Sequence, residues 1–205
     1  IIHAGVYYAP GSLKARFCRE GNRDTKQFCR EHDIPFRVTG KLLVATDEQD
    51  VQRMEELLER CRINEIETEV FDQQQLHEFE PEVIGVAATW VPSSGIVDFE
   101  QVANKLAEQI ITAGGEIHTN CLVSALKETS GIEVTTSLGK FSGNFLVSCA
   151  GLHSDRVIQM LGQQPTFKIL PFRGEYFQLP VEKSQIVTHP IYPIPVSYTH
   201  LRAHE

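Results

Sequence analysis

The chain has 205 residues, of which 41% are hydrophobic and 22% are charged. This length is enough to bury a core without disulfides or metals, and no apolar run approaches the roughly 18 to 20 residues that a membrane span needs. With 19 Lys and Arg against 27 Asp and Glu, the formal net charge is -8, a balance that repels a phosphate backbone. We therefore expect a globular protein with no transmembrane segment and no nucleic-acid partner.

The five cysteines are scattered, odd in number and without a C-x-x-C pair. This usage is typical of a reducing compartment and predicts neither a disulfide framework nor a zinc or iron–sulfur site. The first residues lack the basic, apolar and small-residue order of a targeting segment. We expect a cytoplasmic protein without a metal, and a peripheral position at the inner face of the membrane stays open.

Both ends of the chain are unusual. The sequence does not begin with Met, and its first residues already have the character of a protein interior, which predicts that the natural N-terminus is missing. Residues 196–205 break the preceding apolar pattern and look like the translation of a sequencing-library adapter, so we expect a non-native tail that forms no site. His200 and His204 in this tail are accordingly not counted as a metal-binding pair.

The first half of the chain predicts alternating helices and strands. Apolar spacing and turn residues indicate helices over 13–32, 47–62 and 73–79, and strands over 36–45, 67–71 and 85–91. Thr46 is the predicted N-cap of the second helix, because Gln49 stands three residues later at the capping-box position.

The second half predicts a helix that leads into a sheet. Asp98 is expected to cap a helix over 99–113, which Gly114 and Gly115 end. Strands are predicted over 116–118, 122–126, 132–136, 145–148 and 175–179, and the segment 189–195 is strand-like.

An apolar segment before Ala150 and Gly151 is of chemical interest. A buried parallel strand that ends in small residues and leads into a helix lets the backbone approach a cofactor closely. The plainer interpretation of Ala-Gly at this point is a tight turn.

Four stretches carry a resemblance to a known family: HAGVYYAPGSLKARFC at 3–18, VPSSGIVDF at 91–99, SCAGLHSDRV at 148–157 and PFRGEYF at 171–177. Together, and in matching order from residue 1 to about 195, they resemble the L-2-hydroxyglutarate dehydrogenase/oxidase family within the D-amino-acid-oxidase-like flavoenzymes. The family opens with a strand and a G-x-G-x-x-G turn, and this chain contains no G-x-G-x-x-G. We therefore expect an internal fragment that lacks the dinucleotide motif.

The resemblance implies an α/β fold in which a Rossmann-like FAD-binding domain is interleaved with a mainly antiparallel α+β substrate domain. Residues 1–35 and 90–165 would belong to the FAD domain, and residues 36–89 and 166–195 to the substrate domain. The implied activity is oxidation of a 2-hydroxy acid, L-2-hydroxyglutarate in particular, by hydride transfer to FAD. Oxygen or a membrane quinone would then take the electrons from the reduced flavin.

The resemblance also implies cofactor-binding residues, which are His3, Ala4, Gly5, Val123, Ala150 and Gly151. His3 matches a position close to the flavin, where an imidazole could act as a base near neutral pH. The alternative is that His3 only packs against or positions the flavin ring.

Arg173 is the predicted substrate clamp, because a guanidinium binds a carboxylate through two parallel N–H donors. The alternative is a structural ion pair with Glu175 or Asp155. Further candidates for the substrate pocket are Tyr7, Tyr8, His189 and Tyr192, although aromatic residues near strands are more often part of a core.

Two other functions stay open at this point. A sister flavoenzyme would oxidise an amino acid, an amine or glycerol 3-phosphate. A non-catalytic α/β module would bind a ligand without redox chemistry, and a strand followed by G-x-G-x-x-G upstream of this sequence would exclude it.

Overall fold

The computed structural model of the protein describes residues 1–195, so the predicted tail at 196–205 lies outside the described residues. In chain order the elements are α1 (Leu13–Glu31), β1 (Phe36–Arg37), β2 (Leu42–Ala45), α2 (Glu48–Ile63), β3 (Glu69–Asp72), α3 (Gln73–Phe79), β4 (Ala87–Trp90), β5 (Ile96–Val97), α4 (Phe99–Thr112), β6 (Val123–Glu128), β7 (Ile132–Thr136), β8 (Gly139–Gly143), α5 (Ser154–Met160) and β9 (Ile191–Pro193). This mixture of helices and strands confirms the α/β prediction.

The chain forms two compact units. Within the described residues, one contains residues 1–109 together with residues 176–195, and the other contains residues 110–175. The division into FAD and substrate domains that the resemblance implies follows different boundaries and stays a prediction.

The first unit is built on a four-stranded sheet with the order β3-β4-β2-β9. β2 pairs antiparallel with β4, where Leu42 lies opposite Trp90. On its other edge β2 pairs parallel with β9, where Leu42 lies opposite Ile191. All four residues of β2 are buried, which is expected for a central strand covered on both faces.

Successive side chains of β2 enter two separate cores, as the alternation of a strand requires. Leu43 and Ala45 pack with α2 and with the N-terminal residues Ala4 and Val6. Leu42 and Val44 pack on the other side with the apolar residues Phe71, Leu76 and Ala88. The sheet therefore has one face toward the N-terminal segment and α2, and another toward α3.

The helix predictions in this unit are confirmed, with one correction at a cap. The N-cap of α2 is Asp47, whose side chain accepts a hydrogen bond from the Asp50 backbone at 2.8 Å, and not Thr46 as predicted. Thr46 instead donates its hydroxyl to Asp50 at 2.9 Å. A carboxylate is at least as good a cap as a hydroxyl and also favours the positive end of the helix dipole.

The strand predicted over 36–45 is divided into β1 and β2. β1 pairs with β5 in a separate two-stranded sheet. Between them Gly40 has a φ of +62°, and a Cβ there would lie 1.9 Å from the Trp90 ring. The turn against this ring therefore requires glycine.

The second unit contains the antiparallel sheet β6-β7-β8, and α5 contacts β6. The predictions of strands over 116–118, 145–148 and 175–179 were wrong, because these segments have no regular structure. In the 145–148 segment, Phe145 is 92% exposed and Val147 is 84% exposed. Apolar composition predicted burial there, but within the described residues no strand pairs with the segment.

A buried carboxylate holds β9 in place. Glu80 follows α3 directly and is 1% exposed. It accepts hydrogen bonds from the Thr188 hydroxyl at 2.5 Å, from the His189 backbone at 2.9 Å and from His189 Nδ1 at 2.6 Å. Burial would raise the pKa of Glu80, but the hydrogen bonds from Thr188 and His189 outweigh it and hold this pKa below its ordinary value.

We predict that Glu80→Gln lowers the free energy of unfolding of the natural full-length protein by about 3 kcal/mol at pH 7, because an amide cannot serve the same donors. A carboxyl whose pKa is depressed by folding stabilises above its ordinary pKa of about 4.3, and this contribution is lost as the pH falls through the lower folded pKa. Urea unfolding at pH 7 and at pH 4 should therefore show a smaller pH dependence for the variant.

Glu82→Gln, at an exposed position two residues away, is the matched control and should leave both measurements unchanged. Equal unfolding curves for Glu80→Gln and the wild type would contradict the anchoring role of Glu80.

Candidate functional site

The predicted cofactor residues 3–5 lie in a segment that is fixed from two sides. The backbone of Ile2 pairs with Gly95 through hydrogen bonds of 2.7 and 3.0 Å. Asn22 of α1 donates its amide to the carbonyl oxygens of both His3, at 2.8 Å, and Ser93, at 3.0 Å. Ala4 and Gly5 are buried and His3 is exposed, so the backbone is held while the imidazole stays accessible.

Lys26 of α1 also contacts Asn22 and Ser93. Its ammonium group donates to the Ser93 carbonyl at 2.7 Å and to the Asn22 side chain at 2.7 Å. Burial and the neighbouring charge of Arg30 lower the pKa of Lys26. One turn of α1 thus fastens the N-terminal segment to the turn before β5.

A buried lysine that the sequence analysis did not select lies in the first unit. Lys41 directly precedes β2 and is 5% exposed. Its Nζ donates to the Tyr7 hydroxyl at 3.3 Å and lies 4.4 Å from the centre of the Tyr7 ring and 5.4 Å from that of Tyr192. We call these three residues the Lys41 cluster.

The positive charge of Lys41 also acts on the pKa of a neighbouring thiol, that of Cys61. Burial raises the pKa of Cys61 to about 11, although the positive charges of Lys41 and Arg60 act in the opposite direction. The thiol is therefore protonated and unreactive at neutral pH. Of the side chains near this position, Lys41 and the two tyrosines carry the groups that are suited to polar recognition.

The structure separates the predicted pocket residues. Tyr192 packs with the core that contains Leu43, whereas the His189 ring stacks on Phe79 at 4.7 Å and meets Trp90 edge-on at 5.0 Å. Phe79 and Trp90 belong to the opposite core. Tyr192 and His189 therefore lie on opposite faces of the sheet and cannot line one small pocket within this unit.

Tyr8 lies near the start of α1, apart from the contacts that Tyr192 and His189 make. Its ring is 5.4 Å from the ammonium of Lys14, at the start of α1. Of the predicted aromatic residues, the structure brings Tyr7 and Tyr192 to the Lys41 cluster.

In the second unit the predicted cofactor turn is open. Gly151 has a φ of +53°, and a Cβ placed on it would have no neighbour within 4 Å. It begins a short 3-10 turn, Gly151–His153, that leads into α5. Ala150 and Val123 are partly buried in the same unit.

Arg173 is solvent-exposed, with 88% of its side chain accessible. Its Nε lies 3.8 Å from a carboxylate oxygen of Glu175, which is also exposed. A pair of this kind stabilises little, because water screens it. The guanidinium is thus available to a ligand, and its role as a clamp stays a prediction.

Two other features are absent from residues 1–195. No group of three or more His, Cys, Asp and Glu side chains in this range could hold a metal ion. No helix within it is both long and apolar enough to cross a membrane.

Comparison with known protein families shows to which family the chain belongs. The family of FAD-dependent oxidoreductases named DAO matches residues 1–204. The chain belongs to this family. An L-2-hydroxyglutarate dehydrogenase from Escherichia coli is 49% identical over 197 residues, which are 95% of this chain and 47% of that protein. The chain therefore spans about half the length of the curated relatives it matches.

Solved structures share the fold at lower identity. The FAD-bound L-alpha-glycerophosphate oxidase from Mycoplasma pneumoniae superposes with a TM-score of 0.76 at 18% identity, covering 95% of this chain and 53% of that one. Glycine oxidase from Geobacillus kaustophilus gives a TM-score of 0.71 at 19% identity, covering 78% of this chain and 46% of that one. These likenesses confirm the flavoenzyme fold that the sequence motifs predicted.

The residues present fit the cofactor of the family. At Gly151 the backbone carries no side chain and faces open space, so a ligand can approach it closely. In the first unit the Ser94 hydroxyl is buried without a hydrogen-bond partner among the described residues, which a polar group of a bound dinucleotide would supply. The observation at Gly151 concerns the second unit alone, and the observation at Ser94 concerns the first unit alone.

We predict that Gly151→Val reduces the FAD content of the purified full-length protein, because the added side chain occupies space that the cofactor needs. Flavin absorbance relative to protein concentration measures this content.

Gly162→Val is the matched control, since Gly162 also has a positive φ, +73°, and open space around it. Backbone strain alone would affect both variants alike, whereas a cofactor contact affects Gly151→Val. Wild-type flavin content in Gly151→Val would contradict the placement of FAD at this turn.

Proposed function

We propose that the natural protein containing this chain oxidises L-2-hydroxyglutarate to 2-oxoglutarate with FAD as its cofactor. The observation that carries this proposal is the 49% identity with the Escherichia coli L-2-hydroxyglutarate dehydrogenase over 95% of the chain. The final electron acceptor in the proposal is oxygen or a membrane quinone, and the site of action is the cytoplasm or the inner face of the membrane. Residues 1–35 and 90–165 would serve the cofactor, and residues 36–89 and 166–195 the substrate.

The reaction removes a hydride from C2 and a proton from the hydroxyl group. Bound FAD supplies the hydride acceptor. The protein must supply a base for the proton and cations for the two carboxylates. Each of these requirements is matched by a residue type in this chain.

His3 is the proposed base. Its imidazole is exposed, and an imidazole accepts a proton near neutral pH. Its backbone carbonyl is held by Asn22 of α1, so the backbone that carries the ring is anchored to a helix. Ala4 and Gly5, which follow His3, would contact the cofactor.

The direct test uses the purified full-length protein with an artificial electron acceptor. We expect stoichiometric 2-oxoglutarate from L-2-hydroxyglutarate and none from the D-isomer. Glycine, sarcosine and glycerol 3-phosphate are the comparison substrates. Turnover of one of these in place of L-2-hydroxyglutarate would assign a sister activity and overturn the proposal.

Arg173→Lys tests the proposed carboxylate clamp. The variant keeps the positive charge but loses the planar pair of donors, so kcat/KM should fall about ten- to a hundredfold while FAD stays bound. Steady-state kinetics normalised to flavin content measures the effect.

Glu175→Gln separates the clamp from the structural ion pair. It removes the carboxylate that lies 3.8 Å from Arg173 and leaves the guanidinium in place. A structural pair would give the same defect in both variants, whereas a clamp leaves Glu175→Gln close to wild type. A kcat/KM within about twofold of wild type for Arg173→Lys would remove this residue from the site.

A further inference from the structure

We infer that Asn22 is a positioning residue for His3 and that Lys26 sets the orientation of the Asn22 amide. Neither side chain is assigned a contact with the reacting atoms, since both act through the backbone of the proposed base. The inference rests on the proposed function, because it adds two side chains of α1 to the support of His3. It is carried by the hydrogen bonds that join α1 to the carbonyl oxygens of His3 and Ser93.

The orientation of the Asn22 amide follows from its contact with Lys26. The Lys26 ammonium group lies 2.7 Å from Asn22 Oδ1, and an ammonium group can only donate hydrogen bonds. The amide oxygen therefore faces Lys26, and the amide nitrogen faces the carbonyl oxygens of His3 and Ser93, at 2.8 and 3.0 Å. The two side chains are four residues apart in α1, which places them on one face of the helix.

The chemistry of this position suits asparagine and not aspartate. A primary amide has two N–H donors and one oxygen acceptor, and here two acceptors and one donor surround it. Aspartate has nearly the same shape and would keep the contact with Lys26. It would, however, present a carboxylate oxygen to two carbonyl oxygens. The substitution Asn22→Asp therefore removes the two donated bonds and leaves the rest of the arrangement in place.

The turn that contains Ser93 has supports that do not depend on Asn22. Lys26 donates to the Ser93 carbonyl at 2.7 Å, and the Gly40 backbone donates to the Ser94 carbonyl at 2.9 Å. Ile2 pairs with Gly95 on the other side. Loss of the Asn22 amide should therefore leave the fold intact and change the local orientation of the peptide group that follows His3.

A small change of this kind matters for the proposed chemistry. The His3 carbonyl also accepts a weak bond from the Cys18 thiol at 3.6 Å, but the amide contact is shorter and better suited to hold the peptide plane. A base must lie within hydrogen-bond reach of the proton that it removes. A displacement of about 1 Å can lower a rate about a hundredfold, so the precision of the His3 backbone bears directly on the rate.

The first test follows flavin reduction in a single turnover. The full-length holoenzyme is mixed with L-2-hydroxyglutarate in the absence of oxygen, and the loss of flavin absorbance is recorded. In Asn22→Asp we expect the rate constant of flavin reduction to fall about tenfold or more. The flavin content and the Kd of the substrate should stay within about twofold of wild type. Asn104→Asp, the same substitution at an exposed position of α4, is the matched control and should change none of these values.

A double-mutant cycle shows whether Asn22 acts through His3. His3→Gln should lower the rate constant of flavin reduction, and adding Asn22→Asp to it should have no further effect beyond about twofold. Two residues that act as one unit are non-additive in this way. A general loss of stability would instead lower the rate constant or the flavin content in both backgrounds.

The imidazole of His3 gives a measurement that does not depend on turnover. Its nitrogen resonances can be recorded by NMR with isotope-labelled histidine and assigned from their absence in His3→Gln. They should shift in Asn22→Asp and keep their wild-type positions in Asn104→Asp. If Asn22→Asp does not retain flavin, Lys26→Met replaces it, because this variant keeps the amide but removes the group that orients it. We then expect a fall in the rate constant of more than about twofold.

The outcomes separate the inference from the proposed function. Flavin reduction within about twofold of wild type in a flavin-containing Asn22→Asp, or in Lys26→Met where that variant is used, would overturn the inference. An equal loss in both His3 backgrounds would overturn it as well. A wild-type rate in His3→Gln would remove His3 as the base and the inference with it. A wild-type holoenzyme that does not oxidise L-2-hydroxyglutarate would instead overturn the proposed function.

Discussion

The pairing of β2 on both of its edges is the constraint on which the first unit depends. Leu42–Ala45 is buried throughout, so each backbone polar group of this strand must find a protein partner. β4 supplies one set of partners after the intervening α2, β3 and α3, and β9 supplies the other from near the end of the described chain. The chain must therefore return to this sheet, and the buried carboxylate of Glu80 fixes it where it does so.

Local patterns in the sequence were enough to predict much of this architecture. α1, α2 and α3 have apolar spacing on one face and a polar cap at the start, and both features act within a few residues. β9 was recognisable from its Pro-bounded apolar run. The family relationship was visible in four short motifs, and the comparison with known proteins confirmed it.

The incorrect predictions concern partners that lie far along the chain. The segment 145–148 is as apolar as β2, yet Phe145 and Val147 are exposed, because a strand exists only where another strand pairs with it. Lys41 and Glu80 were missed for a related reason. Both carry charges that are usually exposed, and their burial depends on Tyr192 and on Thr188 with His189, respectively, which the chain brings to them only in three dimensions.

The amide group of Asn22 has a mechanical consequence. Its two N–H bonds reach the carbonyl oxygens of His3 and Ser93, which lie on segments that are remote in the sequence. Because one planar group of fixed size spans both oxygens, the distance between the two segments cannot vary without the loss of a hydrogen bond. Both segments are therefore restrained by the same side chain of α1, and a displacement of either one strains a hydrogen bond of Asn22.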